Sequence, residues 1–167
     1  REMLALARRD SAFWGGQIAH VGVAILALGI AVSANRALST TVDLTAGETV
    51  AFAGFEITYT DEFVREEANR TALGARLEIY RGDDLKTVLE PRLHQYEISQ
   101  QSVATPAVDT GLRGDLYTSL ARFDGAGITV DLYWFPFIWM VWAGGFLAAA
   151  GGVWAWLVRA PGRRERS

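Results

Sequence analysis

Two long stretches without Asp, Glu, Lys or Arg, one near each end, leave this chain few ways to fold in water. Phe13 to Val32 reads FWGGQIAHVGVAILALGIAV, and Leu132 to Val158 reads LYWFPFIWMVWAGGFLAAAGGVWAWLV. About 20 apolar residues, rising about 1.5 Å each in a helix, cross the hydrocarbon core of a bilayer. A core helix of a soluble protein keeps a polar face, and neither run has one. The expectation is two transmembrane helices, over 13–33 and 132–158. Tyr133, Trp134, Trp139 and Trp142 open the second run, and Trp154 and Trp156 stand near its end. Such rings collect at headgroup depth. Trp139 and Trp142 lie further in and suit a helix contact.

The flanking arginines set the orientation. Arg1, Arg8 and Arg9 precede the first run, and Arg159, Arg163, Arg164 and Arg166 follow the second. The positive-inside tendency puts a short lead (1–12) and a basic tail (159–167) in the cytoplasm. Residues 35–131 are then extracytoplasmic, within a domain expected over 34–131. That segment holds sixteen acidic and nine basic residues, a net charge of −7. Such a surface excludes a nucleic acid as partner. The chain has no cysteine, so it forms no disulfide and does no thiolate chemistry. The first run is too long for the apolar part of a signal peptide. The chain opens on Arg1, as expected of the tail of a longer protein, or of a processed or trimmed chain.

The middle segment reads as strands. TVDL (41–44) and TVAF (49–52) flank Ala46 and Gly47. Phe55, Ile57 and Tyr59 alternate with Glu56 and Thr58, as in a half-buried strand. Ala75, Leu77 and Ile79 share one face, with Arg76, Glu78 and Tyr80 on the other. Gly82 and Asp83 make a hairpin turn into KTVLEPRLHQYEI, where Pro91 requires an edge or a bulge. Residues 99–114 read as an ordered loop with one strand. DLYTSLARF and GITVDLY form the last hairpin around Gly125 and Gly127, and the strand runs into the second span with almost no linker. The fold class expected is a membrane protein, with two transmembrane α-helices flanking an extracytoplasmic, mainly antiparallel β domain.

His20 is the sharpest chemical signal. It lies inside the first span, where an ionisable group is costly and has a partner or a function. Positions three and four residues away share its face: Gly16, Gln17, Val23 and Ala24, with Ala27 and Ala31 beyond. Most are small, leaving room for another helix or a wide flat ligand. From the residues alone three roles stay open: a haem or metal ligand, an interhelical hydrogen bond, or a proton relay. Gly15, Gly22 and Gly29 recur at intervals of seven, and Gly144, Ala148, Gly151, Gly152 and Ala155 line the second span. Small faces let membrane helices pack closely. His94, the other histidine, reads as a surface or edge residue. No partner accompanies it at metal-ligand spacing. Asp61-Glu62 and Glu66-Glu67 read as a solvated face, and no catalytic triad or carboxylate pair stands out.

Three segments, in order, resemble the C-terminal region of the CcmF family, the large haem-handling subunit of the bacterial cytochrome c maturation machinery. Trp14, Gly15, Ala19, His20, Gly22 and Ala24 match its W-G-x-x-x-A/G-H-L-G-x-A span, with Val21 in place of leucine. Ala107, Asp109, Gly111, Asp115, Leu116, Tyr117 and Leu120 match A-I-D-x-G-x-x-R-D-L-Y-x-x-L. Gly114 stands there for arginine, with Arg113 beside it. LYWFPFIWMVWAGGFLAAAGG is similar to the start of the family's last helix, with Phe135 in place of lysine and Trp139 where arginine is common. The resemblance covers nearly the whole chain.

The resemblance implies that His20 is one axial ligand of a membrane-buried haem b, its metal being the haem iron. It implies a multi-pass protein of the bacterial plasma membrane that attaches haem to apocytochrome c on the outer side. The implied partners are the remaining transmembrane portion of the haem lyase, a haem carrier protein, apocytochrome c and its thiol-handling partner. In the family the opposite haem ligand, the tryptophan-rich haem-presenting segment and its flanking histidines lie upstream of this region. This chain alone is therefore not expected to perform the reaction, and no catalytic residue is assigned in it. The expected function is the C-terminal part, or a split subunit, of a cytochrome c haem lyase. The alternative is a non-catalytic assembly protein with a two-span anchor, whose outer domain binds a partner while His20 bridges helices.

Overall fold

A computed structural model describes residues 11–67, 69–96 and 102–159. Most of the expected lead and tail, and part of the segment 99–114, lie outside them. The chain divides into two compact units. One contains α1 (Ser11–Arg36) and α2 (Trp139–Arg159). The other, Arg36–Pro136, is built of strands.

Both helices are long and apolar enough to cross a bilayer. Only 17% and 11% of their most apolar windows is buried, so neither is the core helix of a soluble fold. The Asn35 amide donates to the Ala31 carbonyl at 2.7 Å near the end of α1. Arg36 occupies the last turn, where the helix dipole favours a cation.

The strands are β1 (Leu38–Leu44), β2 (Thr49–Phe52), β3 (Phe55–Glu67), β4 (Arg70–Arg81), β5 (Asp84–Leu89), β6 (Arg92–Tyr96), β7 (Ser102–Thr105), β8 (Ala107–Asp109), β9 (Gly114–Phe123) and β10 (Ile128–Pro136). Every pairing among them is antiparallel. One sheet has the order β1-β10-β9-β8, and the other β2-β3-β4-β6-β7, with β5 also on β4. The alternation read over 55–59 and 75–79 sends Phe55, Ile57, Leu77 and Ile79 inward, against Leu116, Leu120, Val130 and Leu132 of the first sheet. Both sheets share this core, so the unit is a sandwich. Each such side chain contributes about 1.5–3 kcal/mol on burial. The buried Tyr59 hydroxyl donates to Glu62 at 3.3 Å, and burial pushes its pKa above the ordinary 10.0.

The long strand β4 is shared. Its first half, Arg70–Gly74, pairs with β6, and its second half, Leu77–Arg81, pairs with β5. Pro91 falls at the break between β5 and β6, where its lack of an N–H costs no ladder bond. Its carbonyl still accepts from the Ala75 N–H at 3.2 Å.

Three expectations need correction. The second apolar run does not start as a helix: Leu132–Pro136 completes β10, and the helix begins at Trp139. Leu132 and Trp134 pack inward while Tyr133 and Phe135 stack on the other face at 6.3 Å, so both faces are apolar and the period-two signal vanishes. Phe137 turns the chain between the two, at φ 53°. The segment read as a loop with one strand holds two, β7 and β8, within its described part. His94 is neither at the surface nor on an edge. It is 7% exposed on β6, between Ala72 of β4 and Val103 of β7, and its Nδ1 has no hydrogen-bond partner among the described residues. The small Ala72 makes room for the ring.

Lys86 of β5 and Asp109 of β8 form an ion pair between the two sheets, with side chains 33% and 15% exposed. Lys86 also lies 5.1 Å from the ring centre of the buried Phe55. Asp109→Asn keeps the shape and removes the charge. The sandwich of this variant is expected to lose about 1–3 kcal/mol in urea unfolding, the usual cost of a hydrogen bond to a charged group. A surface control, Asp83→Asn, should move it by less than about 0.5 kcal/mol.

Candidate functional site

The site begins with how α1 and α2 meet. Gly15, Ala19, Gly22, Leu26 and Gly29 of α1 face Met140, Gly144, Ala148, Gly151 and Ala155 of α2. A Cβ added at Gly15 would stand 2.7 Å from the Ala155 nitrogen, and one at Gly151 would stand 2.5 Å from the Ala19 nitrogen. At Gly22 and Gly144 it would collide with the Ala148 and Leu26 backbones. The glycines spaced by seven thus serve close backbone approach, the standard use of small residues between membrane helices. Their spacing was legible in the sequence. Which residues of the second span they oppose was not.

This seam fixes where His20 points. At about 100° per residue, His20 lies about 140° around the helix from the middle of the seam. Its ring is exposed, away from α2, on a face shared with Gly16, Ala24, Ala27 and Ala31. The structure therefore keeps the small-residue surroundings read from the sequence, and it removes α2 as the helix that His20 could bridge to.

The ring is oriented. His20 Nδ1 lies 2.7 Å from the Gly16 carbonyl oxygen, one turn back. A carbonyl only accepts, so Nδ1 is the donor, an arrangement that leaves Nε2 as the nitrogen open to another partner. Metal-ligating histidines use this arrangement, in which a hydrogen bond from one nitrogen fixes the tautomer and aims the other. The Gly16 carbonyl was not singled out in the sequence, although its offset of four residues could have revealed it.

Among the described residues, no group of three or more His, Cys, Asp or Glu side chains forms a chelating set. A haem iron takes four nitrogens from its porphyrin and needs axial ligands only. His20 Nε2, on a small-residue face, could supply one such bond.

The second motif of the sequence builds structure. The Asp115 carboxylate accepts from the Gly111 N–H at 3.2 Å, and the Gly114 N–H donates to the Gly111 carbonyl at 3.1 Å. Gly114, at φ 151°, could not carry a side chain: a Cβ there would meet the Trp134 ring at 2.7 Å. Asp109 is the Lys86 partner. These residues hold the β8–β9 turn and the sheet-to-sheet clamp.

Residues 36–136 match the family described as CcmF C-terminal beta-sandwich. Relatives include the cytochrome c-type biogenesis protein CcmF of Pseudomonas fluorescens, 30% identical over 88% of this chain and 22% of its own length. The protein of that name in Escherichia coli (strain K12) is 31% identical over 84% of this chain and 22% of its own length. This chain thus spans about a fifth of the length of those relatives. A solved structure named Cytochrome c Heme Lyase CcmF shares the fold at a TM-score of 0.75, with 23% identity, over 95% of this chain and 26% of that one. With its sandwich matched from end to end, the chain belongs to the CcmF family of cytochrome c biogenesis proteins.

Proposed function

We propose that this chain is the C-terminal part, or a split subunit, of a bacterial cytochrome c haem lyase, and that His20 donates one axial bond to a membrane-buried haem b. The observation that carries this reading is the oriented imidazole. Its Nδ1 is held by the Gly16 carbonyl, and the residue lies on the side of α1 away from the only other helix among the described residues. Bound there, the haem would supply an iron able to pass between ferrous and ferric states. The chain's own residues do the rest. His20 supplies one ligand and sets its orientation. Gly16, Ala24, Ala27 and Ala31 leave the ring plane open, and the Gly15–Gly29 seam holds α1 against α2. The remaining transmembrane portion of the lyase would supply the other ligand. The sandwich serves as a docking and structural part for apocytochrome c and its thiol-handling partner, with haem delivered by a carrier protein. In this reading residues 35–131 are extracytoplasmic and both termini cytoplasmic.

Two measurements test it. The purified membrane complex containing this chain should show the visible bands of a b-type haem. A complex free of haem, when loaded with all its partners, would leave the two-span assembly protein as the better reading. A reporter active only in the cytoplasm should be active when fused after Arg166 and silent when inserted at Gly82. The reverse pattern overturns the outer-face assignment.

A further inference from the structure

We propose that the β8–β9 turn, Gly111–Gly114, is a membrane-contact element: Leu112 inserts into the headgroup boundary of the bilayer, and Arg113 engages anionic phospholipid headgroups. Four observations lead there. First, Leu112 is 79% exposed, more than any other large hydrophobic residue described. Second, the turn that presents it is built rather than slack. Asp115 and the Gly111 carbonyl each hold one of its N–H groups, and Gly114 is fitted against Trp134 and Pro136. A leucine presented by a fixed turn gains free energy where it meets an apolar phase, with little ordering left to oppose it.

Third, connectivity places the turn. Gly114 pairs with Pro136, the last residue of β10, and α2 begins three residues later at Trp139. Three extended residues span at most about 11 Å, so the strand end beside the turn stays within that reach of the start of α2. Fourth, the surroundings suit an interface. Tyr133 is 37% exposed on the same end of the sheet, stacked on Phe135, which meets Tyr117 edge-on at 5.4 Å. Tyrosine favours headgroup depth. Arg113 is a positive charge on a domain of net charge −7, and a basic residue near an anionic surface is attracted to it. A protein partner would also cover a leucine. The bilayer is favoured because the turn is tied to a span within three residues.

The inference is independent of the haem reading and of which side the sandwich faces. Its test uses the absence of native cysteines. Single cysteines replace Leu112 or, as control, Ala126 in the β9–β10 turn at the opposite end of the same two strands. Each full chain is labelled with nitrobenzoxadiazole and reconstituted in phosphatidylcholine vesicles, with or without phosphatidylglycerol. Nitroxides on lipid headgroups should quench the label at position 112 severalfold more than at 126, and more strongly with phosphatidylglycerol present. Arg113→Glu should remove the phosphatidylglycerol increment while leaving the circular dichroism spectrum unchanged. Equal quenching at the two positions overturns the proposal. So does a dehydrated label at 112 that lipid nitroxides do not quench, which would mean a protein contact.

Discussion

Replacing His20 with alanine is expected to leave the chain inserted and to remove the b-type haem spectrum from the assembled complex, together with cytochrome c maturation. Alanine is the best helix former, so α1 persists. What disappears is the ring, its bond to Gly16 and the Nε2 lone pair. Loss of a residue that merely supports a ligand costs roughly 10–100-fold in metal affinity, and loss of the ligand itself should exceed that. His20→Gly is the companion variant. If ligation is the role, added imidazole should restore part of the spectrum. His94→Ala should lower the stability of the sandwich, since the ring is buried between β4 and β7, yet leave the haem bands in place. A His20→Ala complex with a full spectrum and full activity would make His20 a helix-bridging residue instead.

The second large effect concerns adjacent glycines with opposite roles. A Cβ at Gly144 meets the Gly22 carbonyl at 2.7 Å and the Leu26 Cα at 2.8 Å, whereas one at Gly145 meets nothing within 4 Å. Gly144→Ala must push the helices apart, at a cost of about 1–3 kcal/mol or more, as for overpacking in a core. Gly145→Ala adds helix propensity, worth about 0.5–1 kcal/mol. In mild detergent the two variants should move the thermal midpoint in opposite directions and differ by several degrees, at about 2–4 °C per kcal/mol for a chain of this size. Equal midpoints would show that the seam is absent in the folded protein.

These contrasts mark what could be read from the sequence. The alternation of Phe55, Ile57 and Tyr59 was plain because its other face carries Glu56 and Thr58, and water and core impose opposite chemistry on the two sides. The strand Leu132–Pro136 was hidden because its outward face carries Tyr133 and Phe135. An apolar strand running toward an apolar helix shows no change of period. β7 and β8 are short, and all four residues of β7 are exposed, so no pattern marks them. His94 was misplaced because its burial depends on β7 and β4 closing on either side, which is a matter of sheet order. His20 was found because a membrane span has no ordinary place for an imidazole. Its aim was not legible, since that follows from the seam with α2 and from the Gly16 carbonyl.

The register of the outer strands has a consequence for how such a protein could be built. The sandwich begins at β1 and ends at β10, and these strands lie side by side, with Leu38 directly across from Trp134. Its two ends are therefore about 5 Å apart, which is the spacing a short loop closes. In the chain the sandwich stands between two helices that pack on each other, and nothing in its internal pairing requires the chain to pass through the bilayer. Each half can then vary at its own pace, the helix pair under the demands of backbone contact and the sandwich under those of its own core. The same closeness makes the sandwich a natural module to exchange between relatives, with the crossover points at Arg36 and Pro136.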